Sequence, residues 1–395
     1  MKKLNMFNPQ KKVIANIDKI IPFLDGDWKT PPVIIEMDPS NACNHGCRFC
    51  FSSYIHFEEF KGTDTFDRSV MSKEMMLNCI DQFDEMGVRS VNFTGGGDPT
   101  VNPNLKDLLY HTGESSLECG IFTNGAIMHR FDLFDAFVDN LEWVRFCVDA
   151  GSKEKYNWIR QIQKEDDWDQ MLENLAKTIE LKKKKNSSII IGVGFVMTED
   201  TLGENIGEEI VNFAEVFSKF DLDFVQYKPD SVNIKRWERE QYERDLDLLV
   251  TIEKYLDKAE DILGPVFQCQ RYRIEDIKDG EKHINFYKKC LGSQIMPCVG
   301  ADGHVYVCPP MRGMKEYSYG SLHEKSFIEI WGDIDNRKRI MKQIEEVECF
   351  GNCTPMCKPH ETNKALWEMS QSGDYYKYLD EMEEMRDNVK HWKFI

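Results

Sequence analysis

The chain has 395 residues, more than one hydrophobic core usually holds, so two or three cores are expected. Its formal net charge of −18 disfavours a nonspecific nucleic-acid binder, which carries a basic surface. No apolar run is long enough to cross a bilayer, and the opening "MKKLNMFNPQKKVIANIDKI" lacks a signal peptide's apolar core, so the expectation is an acidic cytoplasmic protein without a membrane partner.

Residues 1–30 read as an N-terminal extension. Beyond them, apolar strand-like runs alternate with helical patterns. The strands are "VIIEM" (33–37), "SVNFT" (90–94), "CGIFT" (119–123), "WVRFCVD" (143–149), "IIIGVGFVM" (189–197) and "DFVQYK" (223–228). Between the first two, Met75, Met76, Cys79, Ile80 and Phe83 form one helical stripe, with Ser72 placed to cap its start and Gly87 its end. Further helices fit 132–141, 168–185 and 204–219. Strands alternating with helices imply a parallel α/β domain over residues 31–235, either an open doubly wound sheet or an incomplete barrel.

After Pro229 the rhythm changes. A helical connector spans 236–289, and within it residues 240–263 read as one helix, with Leu246, Leu249, Ile252, Leu256 and Ala259 on one face and Gly264-Pro265 ending it. Residues 290–360 are Cys-rich and read as loops, and 361–395 as one or two helices. The lysines at 182–185 read as a solvated helix end.

Thirteen cysteines in a cytosolic chain point to metal ligation more than to disulfides. Cys43, Cys47 and Cys50 lie together in "NACNHGCRFC", spaced by three and then two residues. A structural zinc site wants four ligands, and the nearby His45 sits awkwardly inside the first gap. Three thiolates on an iron–sulfur cube would instead leave one iron open for a ligand.

This spacing, with Phe49 as the aromatic before the last Cys, resembles the signature of the radical S-adenosylmethionine (SAM) enzymes. The resemblance covers about residues 31–230. It implies a partial (β/α)6 TIM-like barrel in which Cys43, Cys47 and Cys50 hold a [4Fe–4S] cluster. The open iron would chelate SAM, whose reductive cleavage gives a 5′-deoxyadenosyl radical that abstracts hydrogen from a substrate C–H. In "FTGGGDPT", Gly95, Gly96, Gly97 and Asp98 resemble the family's glycine-rich motif near the SAM amino group, with Asp where Glu is commoner. "FTNGAI" resembles its Thr-Asn-Gly turn, placing Thr123 and Asn124 near the ribose. Asp149 and Arg160 fit the strand-four segment, with Arg160 poised for the SAM carboxylate, and Val193 and Val196 are candidates to pack the adenine. All these segments fall at C-terminal strand ends, where parallel α/β folds place ligands.

In "CVGADGHVYVC" (298–308) the Asp302-Gly303 pair signals a hairpin with a thiol at each end. "CFGNCTPMC" adds Cys349, Cys353 and Cys357, and Cys290 lies just upstream. This is similar to the SPASM or Twitch extension of radical SAM enzymes, Gly303 and Cys308 matching its Gly-x4-Cys. It implies at least one auxiliary [4Fe–4S] cluster, held by Cys298, Cys308 and two of the last three cysteines; a second cluster would draw on Cys290 and His360. Where some relatives place an Asp base after the second Cys, this chain has Pro309. No catalytic acid or base is assigned, and Tyr227, Lys228, Arg236, His304 and Arg312 are candidates by placement alone.

The expectation is a radical SAM enzyme acting on a small polar metabolite such as a sugar or nucleotide-sugar, by oxidation, epimerisation or elimination. Its electrons would come from flavodoxin or ferredoxin. Two alternatives stand beside it: a radical SAM maturase of peptides or proteins, and a zinc-stabilised structural or binding module.

Overall fold

The structure, a computed structural model, describes residues 8–162, 166–203, 207–229, 239–271, 287–347 and 359–395. The six apolar runs form β1 (Ile34–Met37), β2 (Ser90–Phe93), β3 (Glu118–Thr123), β4 (Trp143–Cys147), β5 (Ile190–Met197) and β6 (Phe224–Pro229). All six pair in parallel in chain order, and a seventh strand, β7 (Phe267–Cys269), pairs parallel to β6.

The intervening helices pack on the outer face of this sheet. In Lys73–Glu85 the Ser72 hydroxyl accepts from the Met75 N–H at 3.2 Å, and Gly87 just past its end has φ +71°. Its Met76, Cys79, Ile80 and Phe83 join the main core, as do Met171 and Leu175 of Asp167–Lys185 and Ile210 and Phe213 of Glu208–Phe217. In Arg239–Leu263 the buried positions include Ile252, Leu256 and Ala259.

Because strand side chains alternate, each strand has an outward and an inward set. Ile35, Val91, Ile121, Val144, Ile191 and Val225 point outward into the helix-covered core. Glu36, Asn92, Phe122, Arg145, Val196 and Gln226 point inward and line one cavity of about 530 Å³. A single cavity touching the inward side of β1 to β6 means that the sheet curls around it. Among the described residues its two edges, β7 and β10, are not paired with each other, so the barrel is partial.

Residues 290–360 depart from the expected loops. They contain β8 (Cys298–Val299), β9 (His304–Tyr306) and β10 (Ser318–Ser321), then helices Phe327–Gly332 and Ile334–Val347. β8 pairs parallel to β1, and β8–β9–β10 form an antiparallel meander, so the Cys-rich segment extends the barrel sheet at its β1 edge. These strands are short, and the pairing of β8 with a strand some 260 positions away is invisible locally.

The N-terminal segment is also docked. Pro9–Ala15 and Ile17–Leu24 bury Val13, Ile17 and Ile20 against Leu366 and Met369 of His360–Ser372. The chain then returns through Tyr378–Asn388, and residues 391–395 close the barrel's base. Phe394 packs edge-on to Trp143 at 5.7 Å between ring centres, within a cluster that includes Ile34, Ile190 and Phe224. Burying a ring of this size contributes roughly 2–3 kcal/mol.

Candidate active site

The mouth of the barrel is built from three loops that follow β1, β2 and β3. After β1 the chain runs through Ser40 and Asn41 to Cys43, Cys47 and Cys50, and all three thiols line the cavity. The glycine loop after β2 lies directly on the Cys loop: Gly97 N–H donates to Ser40 O and Asp98 N–H to Ala42 O, each at 3.0 Å. A Cβ on Gly97 would lie 2.0 Å from Ala42 O, and one on Gly96 2.3 Å from Asn41 Oδ1. The glycines thus let one backbone approach another, as well as lining the cavity.

Asp98 joins the second loop to the third. Its carboxylate accepts from Asn124 N–H at 2.7 Å, from Thr123 Oγ1 at 3.0 Å, and from the N–H and hydroxyl of Thr100 at 2.9 and 2.5 Å. Asn124 in turn donates to Asn44 Oδ1 at 2.9 Å, inside the Cys loop. The side chain is therefore occupied as a structural hub, a role its place in the motif does not reveal.

Arg160 reaches the Cys loop from the helix Lys153–Arg160. It is 5% exposed, donates to Cys47 Sγ at 3.0 Å and to Asp149 Oδ2 at 2.5 Å, and also bonds the Cys147 carbonyl. Asp149 adopts φ +61°, a conformation uncommon for a residue with a side chain, and its Oδ1 holds Val196 N–H at 2.7 Å. Burial pushes the Asp149 carboxyl upward, against the Arg160 guanidinium. The Nε of Arg160 is buried without an acceptor. Phe49 lines the cavity with its ring 5.8 Å from that guanidinium.

The thiols respond to the same burial. Cys43 is raised well above its ordinary value by burial and then by Asp98, and Cys50 is raised to about 12 by burial and then by Cys47. Burial also raises Cys47, and Arg160 opposes it. Thiols held this way bind protons unless a cationic centre replaces them. Among the described residues, no three Cys, His, Asp or Glu side chains converge on a point that one ion would fill. An iron–sulfur cube distributes its ligands over separate irons, so the three spread thiols and their N–H donors fit that group better than a single zinc ion.

Two sequence expectations are corrected here. Val193 points into the helix-covered core and does not share the cavity with Val196, because positions three apart on a strand face opposite sides. Tyr227 likewise points outward, its hydroxyl donating to Ile210 O at 2.7 Å. Lys228 and Arg312 do line the cavity, whereas His304 sits on the hairpin beside Ser318 Oγ at 3.1 Å. Arg236, Cys349, Cys353 and Cys357 lie outside the described residues.

The hairpin forms as expected, with Gly303 at φ +78°. Cys298 is fully buried at its base, 3.9 Å from Asp38 Oδ2 and 3.8 Å from an Arg312 nitrogen. Arg312 Nε and Asp38 Oδ2 are 2.8 Å apart, a buried ion pair that ties the end of β1 to the segment after Cys308. Cys290 accepts from Asn363 Nδ2 at 3.4 Å, and His360 meets the Tyr287 hydroxyl at 3.0 Å.

The sequence reading missed the barrel's polar interior. Asn92 donates to Glu36 at 2.7 Å, Arg145 donates to Gln226 at 2.7 Å, and the Arg145 guanidinium lies 4.3 Å from the centre of the Phe122 ring. The signal was available: a polar residue stands at one parity in four otherwise apolar strands.

Residues 37–206 match the Radical SAM superfamily. The match places a Radical SAM domain over that part of the chain. Radical SAM proteins use a [4Fe–4S] cluster and SAM, the pair that the three thiols and the loops around them suit. Among curated relatives, an S-adenosylmethionine-dependent nucleotide dehydratase of Flammeovirga pacifica is 29% identical over 111 residues, 27% of this chain and 35% of that protein. The chain thus matches only about a third of that relative. A tungsten-containing aldehyde ferredoxin oxidoreductase cofactor-modifying protein of Pyrococcus furiosus is 20% identical over 75% of this chain and 79% of its own. Streptococcus suis SuiB, solved bound to the precursor peptide SuiA, shares the fold with a TM-score of 0.59 at 15% identity, covering 82% of this chain and 70% of its own. Among the described residues, no helix is long and apolar enough to cross a membrane.

Proposed function

We propose that this radical SAM enzyme abstracts hydrogen from a C–H bond of a small polar metabolite bound inside the barrel, below SAM. One observation carries the reading: the Cys loop, the glycine loop, the Thr-Asn-Gly turn and the Asp149–Arg160 pair rim a single cavity whose deeper wall sets Glu36, Asn92, Arg145 and Gln226 among aromatic side chains. Cys43, Cys47 and Cys50 would hold the cluster. SAM would lie against Phe49, Gly95–Gly97, Thr123, Asn124 and Val196, with Arg160 near its carboxylate. The bound pair supplies the 5′-deoxyadenosyl radical. The protein's part is to aim a substrate C–H at it and to exclude water.

The substrate class rests on the interior. Glu36, Asn92, Arg145, Gln226 and Lys228 offer hydrogen bonds and charge above an aromatic base of Trp143, Phe224 and Phe394, a lining suited to hydroxylated molecules. The nucleotide dehydratase relative is compatible with a sugar or nucleotide substrate. An auxiliary cluster would be held by Cys298, Cys308 and two of Cys349, Cys353 and Cys357, with a flavodoxin or ferredoxin as electron donor.

Anaerobic protein reconstituted with iron and sulfide, then supplied with reductant and SAM, is expected to release 5′-deoxyadenosine. Cys43→Ala should abolish that release, and deuterium from the true substrate should appear in the product. Equal SAM cleavage by wild type and Cys43→Ala would refute the assignment.

A further inference from the structure

We propose that Arg145 is the seat for an anionic group of the substrate, a carboxylate or a phosphate, inside the barrel. This deepens the reading above and rests on it for the position of the reacting C–H.

The starting point is an uncompensated charge. Arg145 projects from the inward side of β4, two positions before Cys147 and four before Asp149. Of its five N–H groups, one donates to Gln226 Oε1 at 2.7 Å and another approaches Cys147 Sγ at 3.7 Å. Its Nε is buried with no acceptor. Among the described residues, no carboxylate lies within ion-pairing distance of it. Asp149 is the acid that feels its field, but that carboxylate is committed to Arg160 and to Val196 N–H. Glu36 faces the cavity from β1, where Asn92 bonds it.

The other two cavity guanidiniums differ. Arg160 is paired with Asp149 and Arg312 with Asp38. In a chain of net charge −18, a guanidinium left without a carboxylate inside a barrel is out of character. The guanidinium is half-buried and faces the cavity, so an anionic group entering there meets a charge that no protein carboxylate neutralises.

The surroundings also fix the guanidinium. Its carbon lies 4.3 Å from the Phe122 ring centre, so the ring supports it from one side. Gly194, on the neighbouring strand, leaves the room it occupies: a Cβ there would sit 3.2 Å from Arg145 Cδ and Nε. Lys228, two positions beyond Gln226 on the same inward face of β6, lines the same cavity and adds positive potential towards the mouth. A rigid planar fork beneath a site for SAM would anchor one end of a substrate and leave its carbon skeleton towards the radical.

The test uses anaerobically reconstituted protein saturated with SAM, with binding followed by titration calorimetry. Glucose 6-phosphate, gluconate and glucose serve as probes, sharing a six-carbon polyol skeleton but carrying phosphate, carboxylate or no charge. At least one charged probe should bind tenfold or more tightly than glucose, and which one binds distinguishes phosphate from carboxylate. Arg145→Gln should remove that preference, and Arg145→Lys should keep part of it; melting curves for both establish that they fold. Absence of binding by either anion, or an unchanged preference in folded Arg145→Gln, overturns the inference. Should Arg145→Gln fail to fold, the inference stands or falls on whether wild type prefers the anions and Arg145→Lys weakens that preference. Anion indifference in wild type that cleaves SAM defeats only this inference, whereas wild type that binds anions but never cleaves SAM defeats the functional reading alone.

Discussion

Replacing Gly97 by Ala tests whether the glycine loop sets the position of the cysteine loop. The added Cβ would fall 2.0 Å from Ala42 O, 2.4 Å from Ala42 C and 2.6 Å from Asn41 C, all backbone atoms. No side-chain rotation relieves this, so one loop must retreat by about 1 Å to regain ordinary contact. Retreat also stretches the bonds from Gly97 N–H to Ser40 O and from Asp98 N–H to Ala42 O. Overpacking costs roughly 1–3 kcal/mol, and two weakened hydrogen bonds add roughly 1 kcal/mol, for a total of roughly 2–4 kcal/mol. Ala42 immediately precedes Cys43, and metal ligation tolerates only about 0.2 Å, so the variant should lose most of its iron after reconstitution. Iron content and the visible absorbance of the cluster measure this, beside a urea melt. Gly332→Ala is the control, since a Cβ there meets nothing within 4 Å. Wild-type iron in a Gly97→Ala protein, whether or not it is destabilised, would refute the coupling of the two loops.

Two further outcomes follow from the buried charges. Arg312→Gln leaves Asp38 buried without its cation, and Asp38→Asn does the converse; each should cost roughly 3–5 kcal/mol, with the double variant well short of their sum. Additive losses in urea melts would show that the 2.8 Å pair does not hold the hairpin to β1. His391, buried near the barrel base with Nε2 unpartnered, is lowered from 6.5 to about 3 by burial, with Lys12 and Lys390 adding to it. An unfolded histidine takes up a proton that the folded one refuses, so stability is full above about pH 6.5 and falls as pH drops towards 3. Between about pH 6.5 and pH 5 the loss should approach roughly 2 kcal/mol. His391→Asn, which tolerates the left-handed φ of +53°, should show a shallower fall in urea melts, and identical slopes would reject the assignment.

The six central strands were legible because each is a short, mostly apolar run, and the first four end at an Asp, Gly or Asn turn that carries or adjoins a motif. What escaped was non-local or lay in parity. β7 has only three residues, and although the β8–β9 hairpin is legible at Asp302-Gly303, the pairing of β8 with β1 spans most of the chain. Val193 was grouped with Val196 although a strand's period of two separates them. The motif places Asp98 near the SAM amino group, and only the folded loops show its carboxylate also bonded to Thr100, Thr123 and Asn124. The Asp38–Arg312 pair joins positions that no local pattern connects.

Parity also explains how one sheet carries a tight core and a reactive chamber together. On the outward face, β-branched and aromatic side chains fill the space beneath the helices, and any polar group there would need a buried partner. On the inward face, bulk would close the chamber, and three glycines keep it open by making room for larger neighbours. A Cβ at Gly120 would strike the Trp143 ring at 2.0 Å, one at Gly192 the Phe224 ring at 2.4 Å, and one at Gly194 would press on Arg145 at 3.2 Å. Trp143 and Phe224 can therefore lie across the base while Arg145 lies across the tier above, each over a strand that yields its own side chain. Shifting β4 by one residue would exchange its two faces and place Arg145 in the apolar core. The register that builds the core is thus the same constraint that aims the polar interior at the cysteine loop, and neither can be changed without the other.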